Sequence, residues 1–353
     1  FANSFTGISI SGENTGESTV SGNTISNFNW TAAPDTNMFE GTGVWTAIAY
    51  GGGIMDITDN TIGASTGINN IVIKSTTDHH VASYGIKGGM DGDSITISGN
   101  TIGSIDVSTD SVGYSHLFTG IQNDGATKIT ISNNLIGSAN TAKSIHASTE
   151  CTHIETGQHV AGIVNHANTT TCNIRSNTVK NLHNSALSDW SHYKSPHGHM
   201  VIGIAATDGA NLIEKNTISH LSTTSADSRV DQVIGIYAGS DTLEQEITGN
   251  FIFNLKTDVT DRYTKLSGIR YVSPGTGNNR VAGNRIYGIS ASGADAGTAS
   301  EITGIYSEDG KATDFYNNML SLGNDVTAGH NLYGIYNGAR GNFYYNSVVI
   351  SGS

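Results

Sequence analysis

The residues best suited to chemistry in this chain are its histidines and a few close pairs of acids. His183, His192, His197 and His199 fall in one stretch with Trp190 and Tyr193. Imidazole is the commonest nitrogen ligand, so His197-Gly198-His199 could hold a transition metal. No Cys or carboxylate stands at a zinc-ligand spacing from that pair, and a polar loop competes with the metal reading. Asp91-Gly92-Asp93 is the best calcium candidate. It lacks the ligand run of a dedicated calcium loop, and a solvated turn is its plainer account. Asp56 with Asp59 and Glu244 with Glu246 are the other close acids, and Arg175, Arg270, Arg280 and Arg285 are the bases that could accompany them. Polysaccharide cleavage needs such groups to converge, and no recognisable motif joins them. Cys151 and Cys172 suit a disulfide or two buried thiols, with a metal site shared with His153 and His159 less favoured than either.

Aromatic side chains offer a second kind of chemistry. Tyr237, Tyr306 and Tyr336 occupy one offset after a Gly, beside an apolar residue expected to face inward, so they are expected to point out. Together with Trp30, Trp45 and Trp190, expected in or beside loops, they could form a platform for sugar rings or a partner protein. Mutual stacking that braces the exterior is the competing reading.

The elements that must position these residues are set by a repeat. Ile97-Ser98-Gly99-Asn100-Thr101-Ile102 recurs with variation, centred on Asn23, Asn60, Asn100, Asn134, Asn177, Asn216, Asn250, Asn284, Asn318 and Asn346. From Asn177 to Asn318 the intervals are 39, 34, 34 and 34 residues, a period that means a solenoid. A Gly-Ile pair precedes each Asn, as at Gly85-Ile86 and Gly235-Ile236, with Gly43-Val44 standing for it in the second repeat. Between the two markers apolar and polar residues alternate, as in Ile129-Thr130-Ile131, which is the period of a half-buried strand. The Asn sits where the chain must turn. It tolerates left-handed backbone, and stacked copies can bond amide to amide. The segments between copies vary in length and are polar. The stretch 61–84 contains Ile71-Val72-Ile73, room for an extra strand.

This pattern predicts an all-β chain: one right-handed parallel β-helix over residues 1–353, of about ten coils, with variable loops on one side. Strands spaced ~4.8 Å apart make that a rod of roughly 45–50 Å. The thin core accords with composition, since apolar residues are only 36% and Gly numbers 44. A net charge of −13 without a Lys/Arg cluster argues against nucleic acid and anionic lipid as partners. No apolar run approaches the ~18 residues that span a bilayer.

The internal-Asn turn with three short strands per coil resembles the right-handed parallel β-helix proteins of the broad pectate-lyase-like group. Tyr333-Gly334-Ile335-Tyr336-Asn337 followed by Phe343-Tyr344-Tyr345-Asn346-Ser347-Val348 is similar to repeats in large secreted surface proteins of Bacteroidota. Asp93-Ser94-Ile95, Asp110-Ser111-Val112 and Asp241-Thr242-Leu243 resemble the O-glycosylation acceptor pattern of that group, which implies glycans on Ser94, Ser111 and Thr242. The resemblance implies an extracellular or cell-surface location. The expected function is structural or adhesive and non-catalytic. The chain is expected to be a mature product or a segment of something longer, partnered end to end by copies of itself or by the rest of that chain. A carbohydrate-active enzyme or glycan binder with polysaccharide along the loop side is the alternative.

Overall fold

The computed structural model describes the chain apart from residues 1–3, 13–15, 39–42, 90–91, 152–157, 168, 170, 188–200, 225–232, 241–242, 258–263, 273–276, 292–299, 309–312, 325, 327–328, 339 and 352–353. Among the described residues every regular element is a β-strand. The strands form three parallel sheets, two of ten strands and one of fourteen, with successive repeats as neighbours in each. The molecule is a parallel β-solenoid.

One coil shows the plan. Val201–Ala206 carries the Gly-Ile marker on the first face, Asn211–Glu214 forms the second, and Thr217–Thr223 forms the third. Asn216 sits at the corner between the last two. In the first four coils the third side is split into two strands, as in Thr61–Gly63 and Ile71–Ser75. These four additional strands raise the third sheet to fourteen, and Ile71-Val72-Ile73 lies in one of them.

Register stacks like on like. Ile86, Ile121, Ile163, Ile204, Ile236, Ile269 and Ile305 lie directly over one another on the first face. On the second face Ile57, Ile97, Ile131, Ile174, Ile213 and Ile247 do the same. The third contributes Ile62, Ile102, Ile136, Val179, Ile218 and Ile252. These side chains are buried in one continuous core. No coil could shield this apolar face alone, so burial, the dominant stabilising term, comes from stacking.

The marker glycine belongs to the same packing. A Cβ on Gly235 would lie 2.5 Å from the Gly268 carbonyl oxygen and 2.6 Å from Ile252 Cγ2. The Ile, Val or Leu two places after the corner Asn therefore occupies the volume a side chain on the first face would need. In the second coil Ile48 pairs with Ile8 and with Ile86, so Ala47-Ile48 takes the marker's place. The assignment of Gly43-Val44 is thus corrected: Gly43 has its own reason to be glycine, a φ of +62° with the Ala82 carbonyl close by.

The corner differs from expectation too. The left-handed residue is the one before the Asn: Asp59, Asn133, Ser176, Lys215, Asn317 and Tyr345 all have φ between 53° and 56°. Gly22, Gly99, Gly249 and Gly283 hold the same place with φ of 64–68°. The ladder Asn itself does not need left-handed backbone, and its side chain is used for something else. Trp45 is also relocated. It is wholly buried on the first face, while Trp30 packs against the core in a cluster with Phe5 and Phe28.

Candidate functional site

The most regular polar feature is the asparagine column. Each ladder Asn from Asn23 to Asn318 donates its backbone N–H and one Nδ2 hydrogen to Oδ1 of the Asn one coil onward, at 2.9–3.1 Å. The other Nδ2 hydrogen reaches back to a carbonyl of the preceding coil, as from Asn100 to Ile57 and from Asn216 to Ile174, both at 2.9 Å. Asn60 through Asn318 are buried in this way, while Asn23 and Asn346 are half-exposed. An amide serves because it offers acceptor and donors in one group. A carboxylate would supply no donor and would stack like charges.

A second buried amide ladder lies outside the repeat motif. Asn123 Nδ2 donates to Asn165 Oδ1 at 2.7 Å, Asn165 to Asn211 at 3.1 Å, and Asn211 to Gln245 Oε1 at 2.9 Å. The Gln245 backbone N–H then donates to Asn279 Oδ1 at 3.0 Å. Asn123 and Asn165 close first-face strands whereas Asn211 and Gln245 open second-face strands. The column therefore crosses a corner, and a search at fixed offset misses it.

The nearest approach to a catalytic arrangement lies on the third side. Asp106, His146, His183 and Ser222 are successive register partners. His146 Nε2 is 2.7 Å from Ser185 Oγ, and its Nδ1 is 3.5 Å from Asp106 Oδ1. Ser148 Oγ donates to Asp106 Oδ2 at 2.9 Å. Ser, His and Asp in this order have the connectivity of a hydrolase triad. Two observations decide against that role. The Asp106–His146 distance is too long for an orienting hydrogen bond. The amide N–H groups that could form an oxyanion hole are committed: Ser185 to Ala147 O, Ala186 to Asn184 Oδ1 and Leu187 to Cys151 O, each at 3.0 Å. Burial disfavours charge on both partners. It pushes Asp106 up to about 6 and His146 down to about 4, the Lys143 charge adding to the second. Neutral His146 bridging two hydroxyl-lined coils is a brace.

The expected site residues fall in several places. Asp91, Trp190, His197, His199 and Thr242 lie outside the described residues. Asp93 and Ser94 are exposed at the start of a second-face strand, and Ser111 is half-buried in a turn. Among the described residues no group of three or more His, Cys, Asp or Glu is placed to hold a metal. The disulfide alternative is corrected: Cys151 and Cys172 are not bonded to each other, and both are buried. Cys172 occupies an inward position stacked on Ile129, where burial pushes its thiol up to about 12. Arg270 is ion-paired with Glu308, and Arg280 with Glu246, which anchors both to the coil surface.

The tyrosines are braced as well. Tyr306 and Tyr336 stack face to face at 4.9 Å and 7°, with Lys265 and Arg270 over the Tyr306 ring. Their faces satisfy each other, and Tyr237 packs against a small outer cluster of Ala161, Val164, Ile202, Ala205 and Ile234. A further stack, Phe253 on Tyr287 at 5.2 Å and 7°, is followed in its column by Ser321. The small residue leaves a groove of about 320 Å³ beside Tyr287, lined by Arg285, Met319 and Val349 among others.

The two ends are the remaining candidate surfaces. Of the large apolar side chains exposed among the described residues, Tyr336, Phe343, Tyr344, Tyr345, Val348, Val349 and Ile350 all belong to the last coil. Phe343 and Val348 continue the inner columns of Phe315 and Leu320, so they are core positions that stand exposed in this coil. The first coil is better filled. Phe5, Phe28 and Trp30 pack on one another at 4.5–6.2 Å, and Phe5 stacks on Trp45 at 6.3 Å. No protein-family model, curated protein or solved structure matches the chain.

Proposed function

We propose that this chain is a non-catalytic structural β-solenoid of an extracellular or cell-surface assembly. It acts as a rod and lengthens by stacking end to end, on further copies or on the remainder of a longer chain. One observation carries the reading: the last coil exposes core positions, Phe343 at 47% and Val348 at 44%, on an open strand edge. Unpaired strand edges bearing apolar side chains pair with other strands. The commitment of the Ser185 amides and the bracing of the tyrosines support a structural role over a catalytic one. Sedimentation velocity of the full chain over a wide concentration range is the test. The reading expects mass-dependent growth into longer rods, and monomers throughout would contradict it. Surface proteolysis of intact cells tests the location, since an intracellular chain would be protected.

The groove beside Tyr287 favours a second reading, a polysaccharide binder. An open tyrosine face next to the guanidinium of Arg285 suits a sugar ring bearing a carboxylate. Titration with acidic polysaccharides, with Tyr287→Ala as the comparison, checks it. Equal binding by both proteins would remove the groove from the account.

A further inference from the structure

Charge is sorted around the rod. The third-side strands of five successive coils, Thr178–Asn184, Thr217–Thr223, Phe251–Thr257, Arg285–Ala291 and Met319–Leu322, carry Lys180, Lys256 and Arg285 and no Asp or Glu. Yet acids outnumber Lys and Arg in this chain by 30 to 17. The second side of the same coils bears Glu214, Glu246 and Asp314. Several bases elsewhere are matched with acids, as Lys74 with Asp110, Lys87 with Asp124, Arg270 with Glu308 and Arg280 with Glu246. Lys180 and Arg285 differ. Among the described residues neither has a carboxylate partner, and Lys180 Nζ donates instead to the Ala139 carbonyl at 2.6 Å.

The same face carries rings. Phe251, Phe253 and Tyr287 have centroids 4.8–5.4 Å apart, and His220 meets Phe253 edge to face at 5.6 Å. Register fixes the layout. Lys180, Ser219, Phe253, Tyr287 and Ser321 are successive partners in one column, and Phe251, Arg285 and Met319 in the next. Lys180 therefore stands at one end of the aromatic row, and the groove beside Tyr287 at the other. Three strand spacings separate them, ~14 Å. Each of these residues lies in a coil with a neighbour on either side, so the face does not depend on what adjoins the ends of the rod.

Resting on the polysaccharide reading of the Tyr287 groove, we infer that the groove is one end of a longer site. An anionic polysaccharide lies along the rod axis on the third side, from Tyr287 and Arg285 across Phe253 to Lys180. The strands of this side are hydrogen-bonded to a neighbour along both edges, so an acidic peptide cannot dock by adding a strand. Recognition falls to side chains that stand out from the sheet. Ring faces suit the apolar faces of sugars, and the flanking cations suit carboxylate or sulfate groups. A short sugar held in the groove meets Arg285 but leaves Lys180 unused, so the full site needs a polymer.

Binding to the full chain tests this, with polygalacturonate and dextran sulfate as the carboxylated and sulfated probes and dextran as the neutral control. The parent is expected to bind an anionic polymer, more weakly as salt is raised, and to bind dextran roughly 10-fold less. The tighter of the two anionic polymers names the anion. Lys180→Glu is expected to weaken polymer binding by roughly 3- to 10-fold and to leave binding of a galacturonate disaccharide unchanged. Lys180→Gln, which keeps most of the side chain without its charge, is expected to fall between parent and Lys180→Glu. Equal urea midpoints for the three proteins show that the fold is kept. Polymer binding weakened by Tyr287→Ala but not by Lys180→Glu would overturn the extended site and leave the groove reading standing. A parent that binds neither anionic polymer would overturn both. Polyglutamate bound as tightly as the anionic polysaccharides would overturn the sugar assignment in favour of an acidic protein.

Discussion

The two ends of the rod are built from the same repeat and finished differently. At the N-terminal end Phe5, Phe28 and Trp30 close over the core, and Val20 and Ala32 are already buried in the first coil. At the C-terminal end the strand Ser347–Ile350 is exposed along its whole length. A solenoid coil is stabilised by its neighbours, so a terminal coil lacks half of its packing unless something covers it. The contrast lies in how far each terminal coil covers its apolar columns, and the ladder bonds give the rod a direction.

The comparison can be broken first through the ladder. Asn216→Ala, in the interior, strands the two N–H donors of Asn177 and takes a donor from the Ile174 carbonyl and from Asn250 Oδ1; it is expected to cost about 3–5 kcal/mol in chemical denaturation, several buried polar groups at once losing partners. Asn346→Ala at the open end is expected to cost less than about 1 kcal/mol in monomers, because water reaches that site. Equal losses would remove the distinction between interior and end. Next in size is Gly235→Ala. The Gly268 carbonyl and Ile252 would have to shift, and the expected destabilisation is about 2–4 kcal/mol.

Protonation should act on the middle of the rod and spare the ends. His116 is fully buried and its pKa is lowered by burial to about 4, despite a bond to the Ser108 carbonyl; His146 is lowered similarly. A depressed histidine favours folding above its unfolded value near 6.5 and loses that contribution as pH falls toward 4. Asp106, raised to about 6, acts in the opposite sense: its burial penalty is relieved as pH drops from about 6 to below 3.8. Net stability is expected to fall from pH 6.5 to 4, by about 3 kcal/mol for His116 alone. His116→Gln should flatten the profile measured by urea unfolding, and an unchanged profile would contradict the assignment. A modest effect on monomer stability is expected from Val348→Asp, about 1 kcal/mol, because the side chain packs on Leu320 yet is 44% exposed. The same change should abolish association.

Much of this architecture could be read from the sequence, because a repeat prints its packing once per coil. The positions of Asn100 and Ile102 imply a corner and an inward side chain, and register makes both recur. What could not be read depends on three dimensions. The left-handed place at each corner is filled by Gly, Asp, Asn, Ser, Lys or Tyr, so no single residue type marks it. The Asn123–Gln245 ladder crosses from one face to another. Asp106, His146 and Ser185 lie in different coils, and their spacing in the chain gives no hint that they meet. Whether a tyrosine presents its face or its edge is set by its neighbour in the column, as with Tyr306 on Tyr336 and Tyr287 beside Ser321.

The central claim is that the bare C-terminal coil is a junction. Electron microscopy of the full chain, imaged from dilute to concentrated solution, addresses it most directly. The account predicts rods that lengthen with concentration in multiples of one molecule, about 45 Å for ten strands at the parallel spacing. Single rods of constant length at every concentration would contradict it.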